Sequence, residues 1–286
     1  MYRRHRLPKK RALSRVGPIT PHLYAPSAER PLRAKFVRLS VDTEVMPHRH
    51  PWGQLAFSKV GVVRLTTTQG TYLAPPSRAV WIPPGVEHAV TVLEDADLRT
   101  LYVHAPRGRM LPLPAAEQAG WRDCRVLEVS DLLRALVLEM NTQPDGDALE
   151  PAQRQREKLL SALVLDELRR ARPIPMGVDL PADKRLRALC QAVLDDPARH
   201  ATLAEWARDS GASPRTVARL FRQELGTSFG QWRQRVLLAK ALALAAGRQP
   251  MNRIAEELDY ASASAFSAMV RRSVGQAPSR FFVSNT

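Results

Sequence analysis

An internal repeat in the last hundred residues constrains the fold of this chain more than any other feature. Leu203–Phe229 reads LAEWARDSGASPRTVARLFRQELGTSF, and Ile254–Phe281 reads IAEELDYASASAFSAMVRRSVGQAPSRF. A period in this range is typical of a duplicated supersecondary unit. Equivalent residues lie at a constant offset of 49, namely Ser213 and Ser262, Leu220 and Met269, Arg222 and Arg271, Leu225 and Val274, and Gly226 and Gly275.

The first copy of the repeat predicts two short helices joined by a tight turn. Thr202 and Glu205 have the spacing of a capping box, which marks the start of a helix. Gly211 permits a left-handed backbone at the break. Ser213 followed by Pro214 predicts the start of a second helix, because proline is favoured at the first helical position.

The second helix of this unit is amphipathic, with apolar residues on one face and arginines on the other. Two such helices form a helix-turn-helix, and its second helix can read bases in a DNA major groove. Many helical bundles contain similar contacts without binding DNA. The duplication, the arginines and the long bridging segment FGQWRQRVLLAKALALAAG favour DNA binding. The predicted buried stripe is Val217, Leu220 and Phe221.

The charge balance also favours a polyanionic partner. The chain has 43 Lys and Arg against 28 Asp and Glu, a net charge of +15. Residues 183–286 hold 16 basic and nine acidic residues, so the excess persists without the basic N-terminus, and it favours nucleic acid. The two cysteines, Cys124 and Cys190, indicate a reducing compartment and argue against a disulfide or cysteine-zinc framework. No apolar run is long enough to span a membrane.

The C-terminal region resembles the DNA-binding domain of the AraC/XylS family of bacterial transcription regulators, on the run from LAEWARDSGASPRTV to SFGQW. The resemblance implies two helix-turn-helix units, joined by one long helix and placed in adjacent major grooves. By position it implies base-facing residues in both second helices. These are Arg215, Ala218 and Arg219 in the first unit, and Ala263, Ser264 and Ala268 in the second.

The second unit departs from the family pattern at Asp259, Ala268 and Val270, where a turn glycine, an arginine and an aromatic residue are usual. Small side chains cannot hold guanine with two hydrogen bonds, so we expect the first unit to carry most of the sequence reading. Arginines at 271 and 272 fit phosphate contacts, which position the protein without specifying sequence. The full predicted DNA-binding set is Arg215, Thr216, Ala218, Arg219, Arg222, Ala263, Ser264, Ser267, Ala268, Arg271 and Arg272.

The N-terminal half predicts a β-domain. From about Lys35 to His104, seven short segments rich in Val, Leu, Thr and aromatic residues are separated by Gly, Pro and acidic residues. This pattern is typical of a small barrel or sandwich. We therefore predict an α+β chain, with an N-terminal cupin-type β-barrel followed by an all-α double helix-turn-helix DNA-binding domain.

The stretch MPHRHPWGQL places two histidines on one strand face, because side chains alternate with period two. This half resembles the cupin barrel that many members of the family carry as an effector-sensing or dimerisation domain. Three imidazoles and one oxygen ligand suit Fe, Ni, Zn or Cu. By this resemblance the first cupin motif is His48, His50, Gln54 and Gly61, and the second is Pro83, Gly85 and His88.

Two interpretations of the histidines remain open at this stage. Gln54 is an amide where metal cupins usually have glutamate, so the site would bind a cation more weakly. The four side chains therefore form either a divalent-metal site or a polar effector pocket, and we expect the protein to require no cofactor. They are His48, His50, Gln54 and His88. Trp52 and Trp81 are candidates to line such a pocket. A rival function is a metal-dependent cupin isomerase or dioxygenase, which the missing carboxylate disfavours.

The predicted organisation has four parts. Residues 1–34 form a basic, disordered tail, residues 35–115 the sensing barrel, residues 116–172 a helical dimerisation region, and residues 183–286 the DNA-binding domain. The segment RPIPMGVDLP, residues 172–181, is read as a linker. An amphipathic helix at 151–171 forms a dimer interface by family analogy, or packs on the barrel. Its predicted stripe is Leu159, Leu160, Leu163, Val164 and Leu168.

The sequence thus predicts an effector-responsive, sequence-specific transcription regulator and no enzyme. The resemblance implies a double-stranded DNA operator and a small-molecule effector as partners. It further implies a second copy of the chain, with RNA polymerase as an additional candidate and no membrane partner. We expect a bacterial cytoplasmic protein that acts locally, as a repressor or activator of a neighbouring transporter or metabolic gene.

Overall fold

The computed structural model describes residues 13–18, 20–76, 78–106, 109–146, 149–174, 177–246, 249–275 and 277–282. In this part of the chain, the strands lie between Ser14 and Asp179 and the α-helices between Asp131 and Phe281. The strands are β1 (Ser14–Val16), β2 (Leu32–Leu39), β3 (Thr43–His48), β4 (Gly53–Ser58), β5 (Val63–Thr67), β6 (Gly70–Ala74), β7 (Arg78–Ile82), β8 (His88–Val92), β9 (Ala96–Val103), β10 (Arg125–Glu128), β11 (Pro173–Ile174) and β12 (Val178–Asp179).

The strands form two six-stranded sheets. The first has the order β1-β3-β8-β5-β6-β12 and the second has the order β11-β10-β7-β4-β9-β2. Val45, Leu65 and Val90 of the first sheet share one buried cluster with Ala56 and Val80 of the second. The two sheets therefore enclose a common interior, which we call the sheet interior, and the predicted α+β fold with an N-terminal β-domain is confirmed.

The α-helices begin after β10. They are α1 (Asp131–Glu139), α2 (Pro151–Arg170), α3 (Lys184–Asp195), α4 (Leu203–Asp209), α5 (Pro214–Leu225), α6 (Phe229–Ala246), α7 (Met251–Glu257), α8 (Ala263–Val274) and α9 (Pro278–Phe281). Short 3-10 turns lie at Pro21–Tyr24, Ala115–Glu117 and Ala119–Trp121.

The second sheet is covered on its outer face by α1 and α2. Leu55 and Phe57 of β4 pack there with Leu133 of α1 and Val164 of α2. Both faces of β4 are consequently buried, and all six of its residues are shielded from solvent. Alternate residues of this sheet thus point either under the helices or into the sheet interior.

The repeat forms the two helix pairs α4–α5 and α7–α8. The capping box of Thr202 and Glu205 is present, and Ser213 Oγ accepts a hydrogen bond from Thr216 N at 3.1 Å. Ser262 Oγ does the same for Ala265 N at 3.1 Å. Because the sequence places a cap at each start, both second helices begin at the predicted position.

The N-terminal segment predicted as a disordered tail differs from that expectation beyond residue 12. Ser14–Val16 pairs in parallel with Thr43–Val45, and β2 begins at Leu32. Such a short strand is held by backbone hydrogen bonds, among them Ser14 N to Asp42 O at 2.8 Å, and these leave no side-chain pattern. Residues 1–12 of the predicted tail lie outside the described residues.

The segment predicted as a linker contributes a strand to each sheet. Pro173–Ile174 pairs with β10, and Val178–Asp179 pairs with β6. Each two-residue strand covers a sheet edge that would otherwise expose unpaired backbone groups. A strand of two residues has no measurable periodicity, so sequence analysis did not find it.

The helical domain is attached to the sheets at several points. Trp232 Nε1 of α6 donates to Asp179 O of β12 at 2.8 Å. Arg187 Nη2 donates to Thr68 O at 2.9 Å. The guanidinium of Arg78 lies 5.5 Å from the centre of the Phe281 ring and donates to Phe281 O at 3.2 Å. These contacts hold α3, α6 and α9 on the sheet domain.

Gly61, the last residue of the first cupin motif, is required by backbone geometry. Its φ is +72°, and a Cβ there would collide with the carbonyl group of Asp95. We expect Gly61→Ala to lower the free energy of unfolding by about 2 kcal/mol or more, through strain and steric overlap. Denaturant unfolding measures the change. Gly146→Ala is the control, since a Cβ at Gly146 meets open space; equal stability of both variants would contradict this prediction.

Candidate functional site

The first candidate DNA-reading surface is the exposed face of α5. Val217 and Phe221 are buried in the domain core, at 2% and 0% exposure. On the opposite face, Arg215, Thr216, Arg219 and Arg222 are exposed and Ala218 is half-buried. The amphipathic pattern of the sequence thus places all five predicted contact residues of α5 where a DNA groove can reach them.

Arg219 is oriented by its own helix. Its Nη1 donates to Gln223 Oε1, one turn later, at 2.6 Å. Thr216 Oγ1 lies 2.9 Å from Ser213 Oγ at the helix start. Side chains held in this way present their donors at fixed positions along the helix, which suits base reading more than a freely rotating arginine would.

The exposed face of α8 is chemically poorer. Phe266, Met269 and Val270 are buried, so the residue at 270 serves packing. The six predicted contacts of α8 all reach the surface. Ser264, Ala268, Arg271 and Arg272 are exposed, and Ala263 and Ser267 are half-buried.

The turn of the second unit keeps its left-handed conformation without glycine. Gly211 between α4 and α5 has φ +66°, and Asp259 between α7 and α8 has φ +60°. Aspartate tolerates this region better than most residues because its short polar side chain bonds locally. The substitution noticed in the sequence therefore preserves the helix-turn-helix geometry.

A cleft of about 430 Å³ lies between the two units, and sequence analysis missed it. Arg222 and Ala218 of α5 line one side, and Tyr260 of the second turn lines the other. Arg233 of α6 also lines it, and its guanidinium donates twice to Pro197 O, at 3.1 and 2.8 Å. The cleft joins residues far apart in the sequence, so no local motif could reveal it.

The three predicted histidines meet at one end of the sheet interior. The ring centres of His48 and His88 are 4.3 Å apart, those of His50 and His88 are 5.3 Å apart, and those of His48 and His50 are 6.2 Å apart. Gln54 lies beside them, with its Oε1 placed 2.8 Å from His50 Nε2. All four predicted pocket residues are therefore brought together.

Hydrogen bonding assigns the tautomer of each ring. The Nδ1 atoms of His48, His50 and His88 lie 2.9, 2.8 and 2.9 Å from backbone carbonyl oxygens. Each Nδ1 therefore carries a proton and donates it, which leaves Nε2 as an acceptor. For His50 the partner at Nε2 must then be the amide NH2 of Gln54, reached by a half-turn of that amide.

Burial keeps the two inner rings uncharged. It lowers the pKa of His50, and it lowers the pKa of His88 to about 3. His88 is 1% exposed, and its Nε2 has no hydrogen-bond partner in the described part of the chain. His50 and His88 are therefore neutral, and His88 holds an acceptor lone pair that lacks a donor in the described part of the chain.

The cluster combines three imidazoles with the uncharged amide of Gln54. Imidazole Nε2 atoms are ligands that a transition metal takes. However, the described residues contain no group of three or more His, Cys, Asp or Glu side chains placed to hold a metal. The amide of Gln54 also occupies Nε2 of His50.

The two candidate tryptophans have different locations. Trp52 stacks on His50, with ring centres 5.3 Å apart. Trp81 lies on the opposite face of its sheet, among residues packed under α1 and α2, and its Nε1 donates to Trp121 O at 2.9 Å. Of these two tryptophans, Trp52 is the one that contacts the histidine cluster.

These features together define a transcription regulator that has a ligand-binding sheet domain and a DNA-binding helical domain. Two family models match the chain, the AraC-like ligand binding domain at residues 40–168 and the helix-turn-helix domain at residues 206–283. The chain belongs to the AraC family of transcription regulators. It binds DNA and a small-molecule effector as members of this family do, and it is no enzyme.

Three relatives show how far the similarity extends. The HTH-type transcriptional regulator NimR of Escherichia coli K12 is 30% identical over 82% of this chain and 81% of its own length. The arabinose operon regulatory protein of Salmonella typhimurium is 33% identical over 43% of this chain and 46% of its own length. RipA of Corynebacterium glutamicum is 33% identical over 36% of this chain and 31% of its own length. The match to NimR supports placement of this chain in the NimR-like branch of the family.

A search of the described helices finds none that is both long and apolar enough to cross a membrane.

Arg219→Ala tests the assignment of α5 as the main reading helix. We expect operator affinity to fall by about 1–3 kcal/mol and specificity to relax at one or two base pairs, because a base-contacting arginine is lost. Gel-shift titration on the operator and on single-base variants measures both effects. Arg154→Ala, an exposed arginine of α2, is the matched control. Unchanged affinity and footprint would refute the assignment.

Proposed function

We propose that the protein is a cytoplasmic bacterial regulator that represses or activates a neighbouring transporter or metabolic gene in response to a small molecule. The observation that carries this proposal is the presence, in one chain, of two exposed recognition faces on the helical domain and a buried polar cluster in the sheet domain. The recognition faces serve operator binding, and the polar cluster serves effector binding.

Within this proposal, α5 reads sequence and α8 mainly positions the domain. Arg215 and Arg219 of α5 can each make paired hydrogen bonds to guanine, whereas Ser264 and Ala268 of α8 offer at most one hydrogen bond or a methyl contact. Arg271 and Arg272 at the end of α8 are placed for phosphates. In this arrangement, the cleft between the units accommodates the sugar-phosphate backbone of the DNA, which separates two adjacent grooves.

Mapping the genomic binding sites tests the function directly. We expect a small number of sites close to the gene of this protein, each with two contacted segments about one helical turn apart. The conserved bases should cluster in the segment that α5 reads. Binding spread evenly over the genome would contradict sequence-specific regulation and would indicate a structural DNA-binding protein.

For the histidine cluster we propose an effector pocket that requires no metal cofactor. The occupied Nε2 of His50 and the amide in place of a carboxylate support this choice. Metal analysis of the purified protein, together with His50→Ala, separates the alternatives. Effector response lost with DNA binding intact and no bound metal supports the pocket, whereas a stoichiometric transition metal would contradict it.

A second copy of the chain is the proposed partner of α2. The sequence predicted one apolar stripe, but the structure divides it. Val164 and Leu168 are buried, whereas Leu159 and Leu163 are 58% and 50% exposed. Leu159 and Leu163 lie one turn apart on the same face, a pattern that fits a helix-to-helix contact between protomers.

Replacing both exposed leucines with glutamate tests the dimer. We expect the Leu159→Glu, Leu163→Glu variant to be monomeric by light scattering and to fold normally, because neither side chain is in the core. Its operator affinity should fall, since a monomer contacts only one half-site. Gln155→Glu, on the same helix, is the control for added charge. A variant that keeps the mass of a dimer would exclude this face.

RNA polymerase is the further partner that we propose for activation. A change of transcription without a change of operator occupancy, measured in vitro with purified polymerase, would support direct contact. A purely occupancy-dependent effect would indicate repression by exclusion.

A further inference from the structure

A lysine lies inside the sheet domain. Leu32 and Ala34 of β2 pack under α1 and α2, so the alternate residues Arg33 and Lys35 point to the other face of the strand, toward the sheet interior. Lys35 is 6% exposed. Lysine is seldom buried to this extent without a partner, so its environment requires an explanation.

The neighbouring cations have carboxylate partners. Arg30 pairs with Glu157 at 2.8 Å and with Asp145 at 3.0 Å. Arg33 forms an ion pair with Asp145 and donates to Gln143 O at 3.0 Å. Two arginines thus share two carboxylates, those of Asp145 and Glu157.

Unlike Arg30 and Arg33, Lys35 forms no ion pair with a carboxylate of the described residues. Its Nζ lies 5.5 Å from the centre of the Tyr24 ring, a cation–π contact, and no ion pair or hydrogen bond joins it to the described part of the chain. Burial lowers the pKa of Lys35 to about 8. At neutral pH the amine is still protonated, and the protein therefore holds a positive charge inside the domain.

The aromatic wall beside Lys35 leads to the histidine cluster. Tyr102 pairs in register with Arg33, and Thr100 pairs with Lys35. The ring of Tyr102 lies 5.4 Å from that of His50 and 5.8 Å from that of Trp52. Lys35 thus lies one alternate position along the sheet from the level of Tyr102, whose ring contacts the histidine cluster.

Two more polar atoms at this end lack partners in the described part of the chain. Trp52 Nε1 is a buried donor without an acceptor, and His88 Nε2 is a buried acceptor without a donor. An unsatisfied buried polar group costs about 1–3 kcal/mol. A carboxylate supplies acceptors for donors such as Lys35 and Trp52, and the rings match a flat apolar body.

We infer that the effector is a small aromatic carboxylate, with its carboxylate held by Lys35 and its ring packed against Trp52 and Tyr102. A hydrogen-bond donor on such a molecule would satisfy His88 Nε2. This inference rests on the proposed sensor function, because it names the chemical class of the molecule that the pocket detects.

Phenylacetate and its neutral amide, phenylacetamide, test the charge requirement on the full-length protein. Calorimetry should detect binding of the acid and much weaker binding of the amide. Lys35→Met removes the charge and keeps the side-chain length. Loss of one charged hydrogen bond should weaken phenylacetate binding about 10- to 100-fold. Lys59→Met, at an exposed lysine, should bind as the unmodified protein does.

Stability of the variant provides a separate readout. Lys35→Met removes a buried charge without an anionic partner, so its melting temperature without ligand should equal or exceed that of the unmodified protein. Should this variant not fold, Lys35→Gln takes its place, with the same expected loss of affinity. Equal affinity for acid and amide, no binding of the acid, or full binding of the acid by the Lys35 variant would each overturn the inference.

Operator binding distinguishes this inference from the proposed function. Lys35-dependent binding of phenylacetate that leaves operator affinity and transcription unchanged would keep the carboxylate site and reject its sensory role. Specific operator binding by a protein that shows no Lys35-dependent carboxylate binding would keep the regulator and reject the effector class.

Discussion

The pairing of β12 with β6 is the interaction that holds the two halves of this chain in one arrangement. Val178 and Asp179 add a two-residue edge strand to the first sheet. The carbonyl oxygen of Asp179 accepts a hydrogen bond from the indole N–H of Trp232 in α6. Val178 is also buried with Leu186 and Trp206 of the helical domain. The connecting segment therefore belongs to the sheet through its backbone and to the helical core through its side chain.

The same sheet contains two strands of the histidine cluster. His48 pairs in register with His88, and His88 pairs with Thr67. Thr67 Oγ1 accepts from Gly70 N at 3.1 Å, and Gly70 pairs with Asp179. A ligand bound at the histidines contacts the sheet whose edge is attached to α6. How far binding changes the presentation of the helices is limited by the preference of the ligand between the two states.

The sheet interior is divided along its strands into an apolar end and a polar end. Val90 and Val92 of β8 and Leu98 of β9 belong to the apolar cluster, and His88 and Tyr102 lie at the opposite ends of those strands. The apolar end supplies the burial that stabilises the domain. Because stability rests there, the polar end tolerates unsatisfied groups that would be costly in an ordinary core.

The two helix-turn-helix units share a geometry and differ in chemistry. Buried positions agree between the units, as Val217 is equivalent to Phe266 and Phe221 to Val270, and all four are buried. Ser213 and Ser262 each cap a second helix. The exposed positions are free to diverge, because they do not contribute to packing. This explains how α5 keeps arginines while α8 presents serines and alanines on the same scaffold.

The sequence by itself determined the local features of this protein. The double helix-turn-helix, its caps and the histidine motif depend on residues within a few positions of one another, so short-range patterns predict them. Alternation along β2 shows Arg33 and Lys35 on one face, but this pattern is equally typical of a solvent-exposed face. Only the tertiary structure decided that this face is interior, since it is turned toward the first sheet and packs against Tyr24.

The tertiary structure also decided which apolar residues of α2 stay exposed and where the linker lies. Val164 and Leu168 contact the sheet while Leu159 and Leu163 do not, because the packing angle of the helix selects part of a broad stripe. The two linker strands exist because sheet edges require hydrogen-bond partners. Both outcomes depend on contacts between segments far apart in the chain, and such contacts leave no trace in local sequence.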